Sequence, residues 1–224
     1  MNNLWTFGDS FTDYFYPPER STIHWRQKYI EYKGYVPKVY GEIIAEKLGL
    51  NLINLGLGGV DNSHILEEFC KVVDKIKEGD ILIFGWTNQS RFRLVNKSDQ
   101  WGHFNPEPGN ENGFFAHKKI ETFEFISEKT IQELLINRSN FPYVLEICNW
   151  MKLINFSLKN KIIHWSWCSD LSKCGIILSK KYRNIKQETN GEVDDGHWCE
   201  DSHYEFSEFL IDILNNKRQI KNII

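Results

Sequence analysis

The sequence predicts an α/β domain, a three-layer α/β/α sandwich with a mostly parallel central sheet. Three observations carry this. Short strand-like segments alternate with helical patterns along the chain. Ile81-Leu82-Ile83-Phe84 is a continuous apolar run between Asp80 and Gly85, as expected of a strand covered on both faces. The strand-like segments run out into Gly8-Asp9-Ser10, Gly56 to Gly59 and Gly85 to Asn88, so turn chemistry collects at the edge where parallel sheets hold their ligands.

Taken in order, residues 4–7 read as a short buried strand. Residues 17–36 are aromatic and charged without a clear period and read as loop. Residues 37–48 place Val39, Ile43, Ile44 and Leu48 on one face, with Pro37 near the first turn and Gly49 at the end, which predicts a helix. A second strand covers 51–55. Ser63 is the expected cap of a helix carrying Ile65, Leu66, Phe69, Val72, Val73 and Ile76 and ending before Gly79. The run at 81–84 is the third strand. Residues 86–125 keep no period and read as an irregular insertion, and a stretch of that length inside a domain is usually functional. Helical spacing returns over 126–159, in two pieces broken near Pro142. A fourth strand is expected at 162–165, no clear pattern at 171–193, and a last helix from about Tyr204 to Asn216.

Composition narrows the function classes. The chain has 224 residues, 41% hydrophobic and 25% charged, which is globular usage. It shows no repeat, low-complexity tract or Pro/Gly/Ser linker, so residues 1–224 are read as one domain. Lys and Arg number 27 against 30 Asp and Glu, a net charge of −3, which offers no basic field for a nucleic-acid backbone. No run approaches the roughly 18 apolar residues of a membrane span. Met1 to Trp5 enter a strand without a basic and then apolar leader, so a cytoplasmic or otherwise non-Sec soluble protein is expected. The five cysteines (70, 148, 168, 174 and 199) are odd in number and form no CxxC pair, which favours buried thiols in a reducing compartment. His164, Cys168, Cys174, His197 and Cys199 match no metal-ligand spacing, and no metal site is expected.

Each strand exit is ambiguous alone. Gly8-Asp9-Ser10 is an ordinary turn sequence. Asn54-Leu55-Gly56-Leu57-Gly58-Gly59 departs from a dinucleotide fingerprint at Asp61 and follows the second strand, although its glycines let backbone N–H donors approach a reacting group. Asp194-Asp195-Gly196-His197 could be a solvated acidic turn, or a carboxylate orienting an imidazole before the last helix. Together they supply a nucleophile, amide donors and an acid–base pair.

In that combination the chain resembles the SGNH, or GDSL-type, hydrolase superfamily. Phe7-Gly8-Asp9-Ser10-Phe11-Thr12 is similar to its first block. Asn54 to Gly59 fits its Asn-x-Gly-x-x-Gly second block, and Asp194 to His197 its Asp-x-x-His last block. The resemblance implies the flavodoxin-like SGNH fold and a serine esterase. Ser10 would be the nucleophile, His197 the base, and Asp194 or Asp195 the carboxylate behind it, with the Asp195-Gly196-His197-Trp198 variant of acetyl-transferring relatives favouring Asp195. Ser10 and Gly59 would present backbone N–H groups to the oxyanion. The third block, usually Gly-x-Asn-Asp, reads Gly85-Trp86-Thr87-Asn88, so either Asn88 or Thr87 supplies the side-chain donor, or it is absent. Loss of such a donor costs about 10²–10³ in rate. His203 is read as structural. The implied substrate is a small-molecule or glycan ester, with an O-acetyl group on carbohydrate preferred. Transfer to an alcohol in place of water would make the protein an acyltransferase. The chemistry needs no cofactor. The alternative is a non-catalytic binding or structural module that keeps the fold.

Overall fold

The structure is a computed structural model, and it describes residues 1–15, 24–88, 91–95, 101–104 and 140–216. Its strands in chain order are β1 (Asn3–Gly8), β2 (Asn51–Asn54), β3 (Ile81–Trp86), β4 (Phe92–Val95), β5 (Trp101–Phe104), β6 (Lys161–Ser166) and β7 (Ile177–Leu178). The helices are α1 (His24–Lys33), α2 (Tyr40–Leu48), α3 (Asn62–Cys70), α4 (Asn140–Ser157), α5 (Ile185–Glu188) and α6 (Glu200–Leu214).

Five strands form one parallel sheet in the order β2-β1-β3-β6-β7. Counted within that sheet alone the order is 2-1-3-4-5, a doubly wound arrangement that reverses direction between β1 and β3. Alternation along the strands then divides the core. Trp5, Phe7, Leu82, Phe84 and Trp86 meet Ile65 and Phe69 of α3 and Val144, Ile147, Met151 and Ile154 of α4. Leu4, Ile83, Ile163 and Trp165 meet Tyr40 and Ile44 of α2 and Phe206, Leu210 and Leu214 of α6. Helices thus cover both faces, which is why β3 and β6 have no polar side for water.

Close packing at the carboxyl edge depends on two glycines paired in register, Gly8 and Gly85. A Cβ on Gly85 would lie 2.8 Å from the Trp165 ring, and one on Gly8 would lie 2.1 Å from Thr12 Oγ1. Neither position has room for a side chain.

Several expectations are corrected. Residues 24–33, expected as loop, form α1, whose inward side chains include Arg26 and Tyr29. A buried arginine disguises the helical stripe. Asp61, not Ser63, caps α3, accepting from His64 N at 2.8 Å, and α3 ends at Cys70 with a separate 3-10 turn at Val73–Lys75. Pro142 lies in the first turn of α4, where a missing N–H costs little; the expected helical piece at 126–139 lies outside the described residues. Within the 86–125 insertion, β4 and β5 pair antiparallel, and residues 89–90, 96–100 and 105–125 lie outside the description. The unpatterned stretch 171–193 holds the end of a 3-10 turn at Ser169–Cys174, then β7 and α5. The last helix begins earlier than expected, at Glu200, with Glu200 and Asp201 in a first turn that favours negative charge.

The cysteines are corrected too. Cys148 of α4 and Cys174 are joined by a disulfide with a Cα–Cα distance of 5.1 Å, while Cys70, Cys168 and Cys199 keep their thiols. The argument from unpaired thiols for a reducing compartment therefore does not stand. Among the described residues no helix is long and apolar enough to cross a membrane, and no three His, Cys, Asp or Glu side chains gather as metal ligands.

Candidate active site

β1 ends at Gly8, and the chain turns at once: Thr12 N and Asp13 N donate to Asp9 O at 2.9 and 3.0 Å. Asp9 Oδ1 accepts from Phe11 N at 3.1 Å, so Ser10 is bracketed by a side-chain turn inside a backbone turn. The exit of β2 is tied to the same loop. Asn54 Nδ2 donates to Thr12 O at 2.7 Å, its Oδ1 accepts from Gly56 N at 2.8 Å, and Leu57 N donates to Gly8 O at 3.0 Å. A Cβ built on Gly58 would stand 3.6 Å from Ser10 Cβ, which shows how closely the glycine loop passes the serine. Gly59 follows with φ at +77°, a conformation that favours glycine.

The other half of the site comes from the opposite end of the chain. The first N–H groups of α5 donate to the loop between α5 and α6, Ile185 N to His197 O and Lys186 N to Asp195 O, both at 2.9 Å. This fixes the backbone on either side of Gly196. His197 Nε2 then lies 2.7 Å from Ser10 Oγ, and Nδ1 lies 2.6 Å from Asp195 Oδ1. Asp195 is buried, with a side chain 5% exposed, whereas the His197 side chain is 26% exposed. Asp194 points outward, 81% exposed, with Lys186 at 2.7 Å holding its carboxyl below the usual range. Of the two candidate carboxylates, Asp195 is the one beside the imidazole.

His203 lies inside α6, fully buried, with its Nδ1 accepting from Tyr40 N at 3.3 Å. Burial, with lesser effects of His197 and Arg26, pushes its pKa down to about 3, so it is a neutral packing residue. No family model, curated protein or solved structure matches the chain.

The third strand exit differs from the expectation for Thr87. Its hydroxyl donates to Asp9 Oδ2 at 2.7 Å, and its backbone is clamped by Asn62, with Thr87 N on Asn62 Oδ1 at 2.8 Å and Asn62 Nδ2 on Thr87 O at 3.0 Å. The single Thr87 proton is thus committed elsewhere than an oxyanion. Asn88 follows, half-buried at the same exit.

Sequence reasoning missed several neighbours. Asp13 accepts from Arg26 Nη1 and from Gly58 N, both at 3.0 Å, a buried ion pair under the serine loop. Asp9 also receives Arg91 Nη1 and Trp167 Nε1, both at 3.1 Å. Phe11 lies beside the imidazole, ring centroids 5.1 Å apart, and 5.7 Å from the Trp167 ring. Only Asp9 carried a signal, its place in the Gly-Asp-Ser turn.

Proposed function

We propose that this protein is a serine esterase of the SGNH type, acting through an acyl-enzyme on Ser10. The observation that carries the reading is the continuous relay from Ser10 Oγ through His197 to Asp195, at 2.7 and 2.6 Å. A hydroxyl, an imidazole and a buried carboxylate in that order have one well-understood use, nucleophilic attack on an acyl carbon. The sheet order agrees, since ligands of doubly wound sheets bind where the order reverses, and Ser10 stands at that reversal.

In this mechanism Asp195 accepts a hydrogen bond from Nδ1–H of His197, and Nε2, facing Ser10, is the base. Ser10 Oγ attacks the ester carbonyl as its proton passes to His197 Nε2. Negative charge on the carbonyl oxygen is met by the backbone N–H groups of Ser10 and Gly59 and by the Asn88 amide, with Thr87 excluded by its bond to Asp9. The imidazolium protonates the leaving alcohol, and water then attacks the acyl-enzyme with His197 again as base. An alcohol in place of water gives acyl transfer. Phe11 beside the imidazole and Trp167 next to Phe11 suit an ester whose alcohol part has a flat, partly apolar face, which supports an O-acylated carbohydrate such as an O-acetyl sugar.

The test is covalent labelling with a fluorophosphonate and mass mapping of the adduct. The expected adduct is on Ser10, lost in Ser10→Ala together with hydrolysis of p-nitrophenyl acetate. Folded protein that takes no label on Ser10 would instead support a non-catalytic module, a reading whose best ground is the diverted Thr87 hydroxyl.

A further inference from the structure

Asp9 is 1% exposed, and its carboxylate collects donors from three separate stretches of chain. Oδ2 accepts from Thr87 Oγ1 at 2.7 Å, from Arg91 Nη1 at 3.1 Å and from Trp167 Nε1 at 3.1 Å. Oδ1 accepts from Phe11 N at 3.1 Å, across Ser10. Arg91 Nη1 also donates to Val60 O at 3.3 Å, in the loop that carries Gly59. Its guanidinium lies 5.8 Å from the centre of the Trp167 ring, and its side chain is only 8% exposed. The exits of β1, β2, β3 and β6 are therefore joined through one buried ion pair.

We propose that Asp9 and Arg91 are positioning residues for Ser10, locking the serine turn to the Gly59 loop so that nucleophile and amide donors keep one fixed spacing. The proposal rests on the esterase reading. Neither side chain needs to touch the substrate. Asp9 acts through the peptide on each side of Ser10, and Arg91 acts through Asp9 and Val60. A buried pair of this kind adds little net stability when intact, since desolvation offsets attraction, but it holds one geometry well. Attack and oxyanion stabilisation both depend on that geometry, and an error of about 1 Å costs on the order of 10²-fold.

The experiment compares Arg91→Met, Arg91→Lys and Trp167→Phe with wild type. It uses p-nitrophenyl acetate kinetics, the rate of fluorophosphonate labelling and near-ultraviolet circular dichroism. Arg91→Met should lower kcat and the labelling rate together by roughly 10- to 100-fold with KM within a few-fold. Arg91→Lys, which keeps a donor for Asp9, should restore a large part. Trp167→Phe removes one of three donors to Oδ2 and should show a smaller loss of the same kind. A folded Arg91→Met with unchanged kcat and labelling, or with only KM altered, overturns the positioning role while leaving the esterase reading intact. A Lys variant no better than Met also overturns it. Wild type that does not label on Ser10 removes the esterase reading and the positioning role with it.

Discussion

Asp195 holds His197 twice: its Oδ1 accepts from the backbone N–H at 3.1 Å and lies 2.6 Å from ring Nδ1. The carboxylate therefore sets both where the imidazole begins and which way it faces. Nε2 thereby faces Ser10 Oγ at 2.7 Å, and the proposed mechanism places the ring proton on Nδ1.

Asp195→Asn should therefore lower kcat by about 10³- to 10⁴-fold, the scale seen when a triad carboxylate is neutralised and the imidazole adopts the wrong tautomer. Asp194→Asn, which alters only an exposed pair with Lys186, should leave kcat within about twofold. Kinetics of both variants on one ester decide the matter, and the reverse ranking would assign the acid to Asp194.

Asn88→Ala should lower turnover by roughly 10²-fold, because it removes a donor to the transition state. Thr87→Val should behave differently. It deprives the buried Asp9 carboxylate of a 2.7 Å bond, so a stability loss of about 1.5–3 kcal/mol in urea unfolding is expected. A Thr87→Val variant as stable as wild type, or an Asn88→Ala variant with unchanged turnover, would contradict this division of labour.

Acid should destabilise the fold well above the carboxylate range. Burial pushes the pKa of both His164 and His203 down to about 3. Both are neutral when folded and protonate near pH 6.5 when unfolded. Their contribution is complete above that pH and is lost as pH falls from about 6.5 towards 3, by up to about 1.4 kcal/mol per pH unit for each. Burial lowers the pKa of His64 as well, in the same sense. Urea unfolding at pH 7, 6 and 5 gives the slope, and a flat profile over that interval would show that these imidazoles take up protons equally in the folded and unfolded states.

Cys148 and Cys174 close a span of 26 residues, and opening it should cost about 3 kcal/mol. Alkylation of the denatured, air-purified chain should modify three cysteines without reductant and five with it. Five in both conditions would show that the pair does not form.

Gly85→Ala should destabilise by about 1–3 kcal/mol, since the added methyl meets the Trp165 ring at 2.8 Å within a close-packed layer. A thermal melt within a degree of wild type would mean that the sheet yields at this point.

The parts legible in the sequence are those where one physical pattern acts alone. β3 was visible because burial on both faces leaves nothing polar between Ile81 and Phe84, and α2 because its apolar positions recur at helical spacing around Ile43 and Ile44. α1 was not visible, since the residue it buries beside Tyr29 is Arg26, and that burial is made tolerable by partners distant in the chain, Asp13 and the Tyr14 carbonyl among them. The same holds for the disulfide, whose partners meet because α4 packs on the turn after β6, a tertiary fact without local spacing. Ser10, Gly59 and His197 stood out through turn chemistry. The choice between Asp194 and Asp195 needed the α5 amide that holds the Asp195 carbonyl, and Arg91 had no local pattern to announce it.

Ser10 and His197 are separated by 187 residues, and that separation has a consequence for how the protein comes into being. At a synthesis rate of about 5–20 residues per second, the serine leaves the ribosome roughly 10–40 s before the imidazole that would activate it. β1 is also central in the sheet, so it waits for β2 on one side and β3 on the other. A chain cut short before α5 holds every strand of the parallel sheet and still carries a serine with no base. In the proposed mechanism the serine gains its base only once synthesis has passed His197, so shorter partial products carry an inactive hydroxyl.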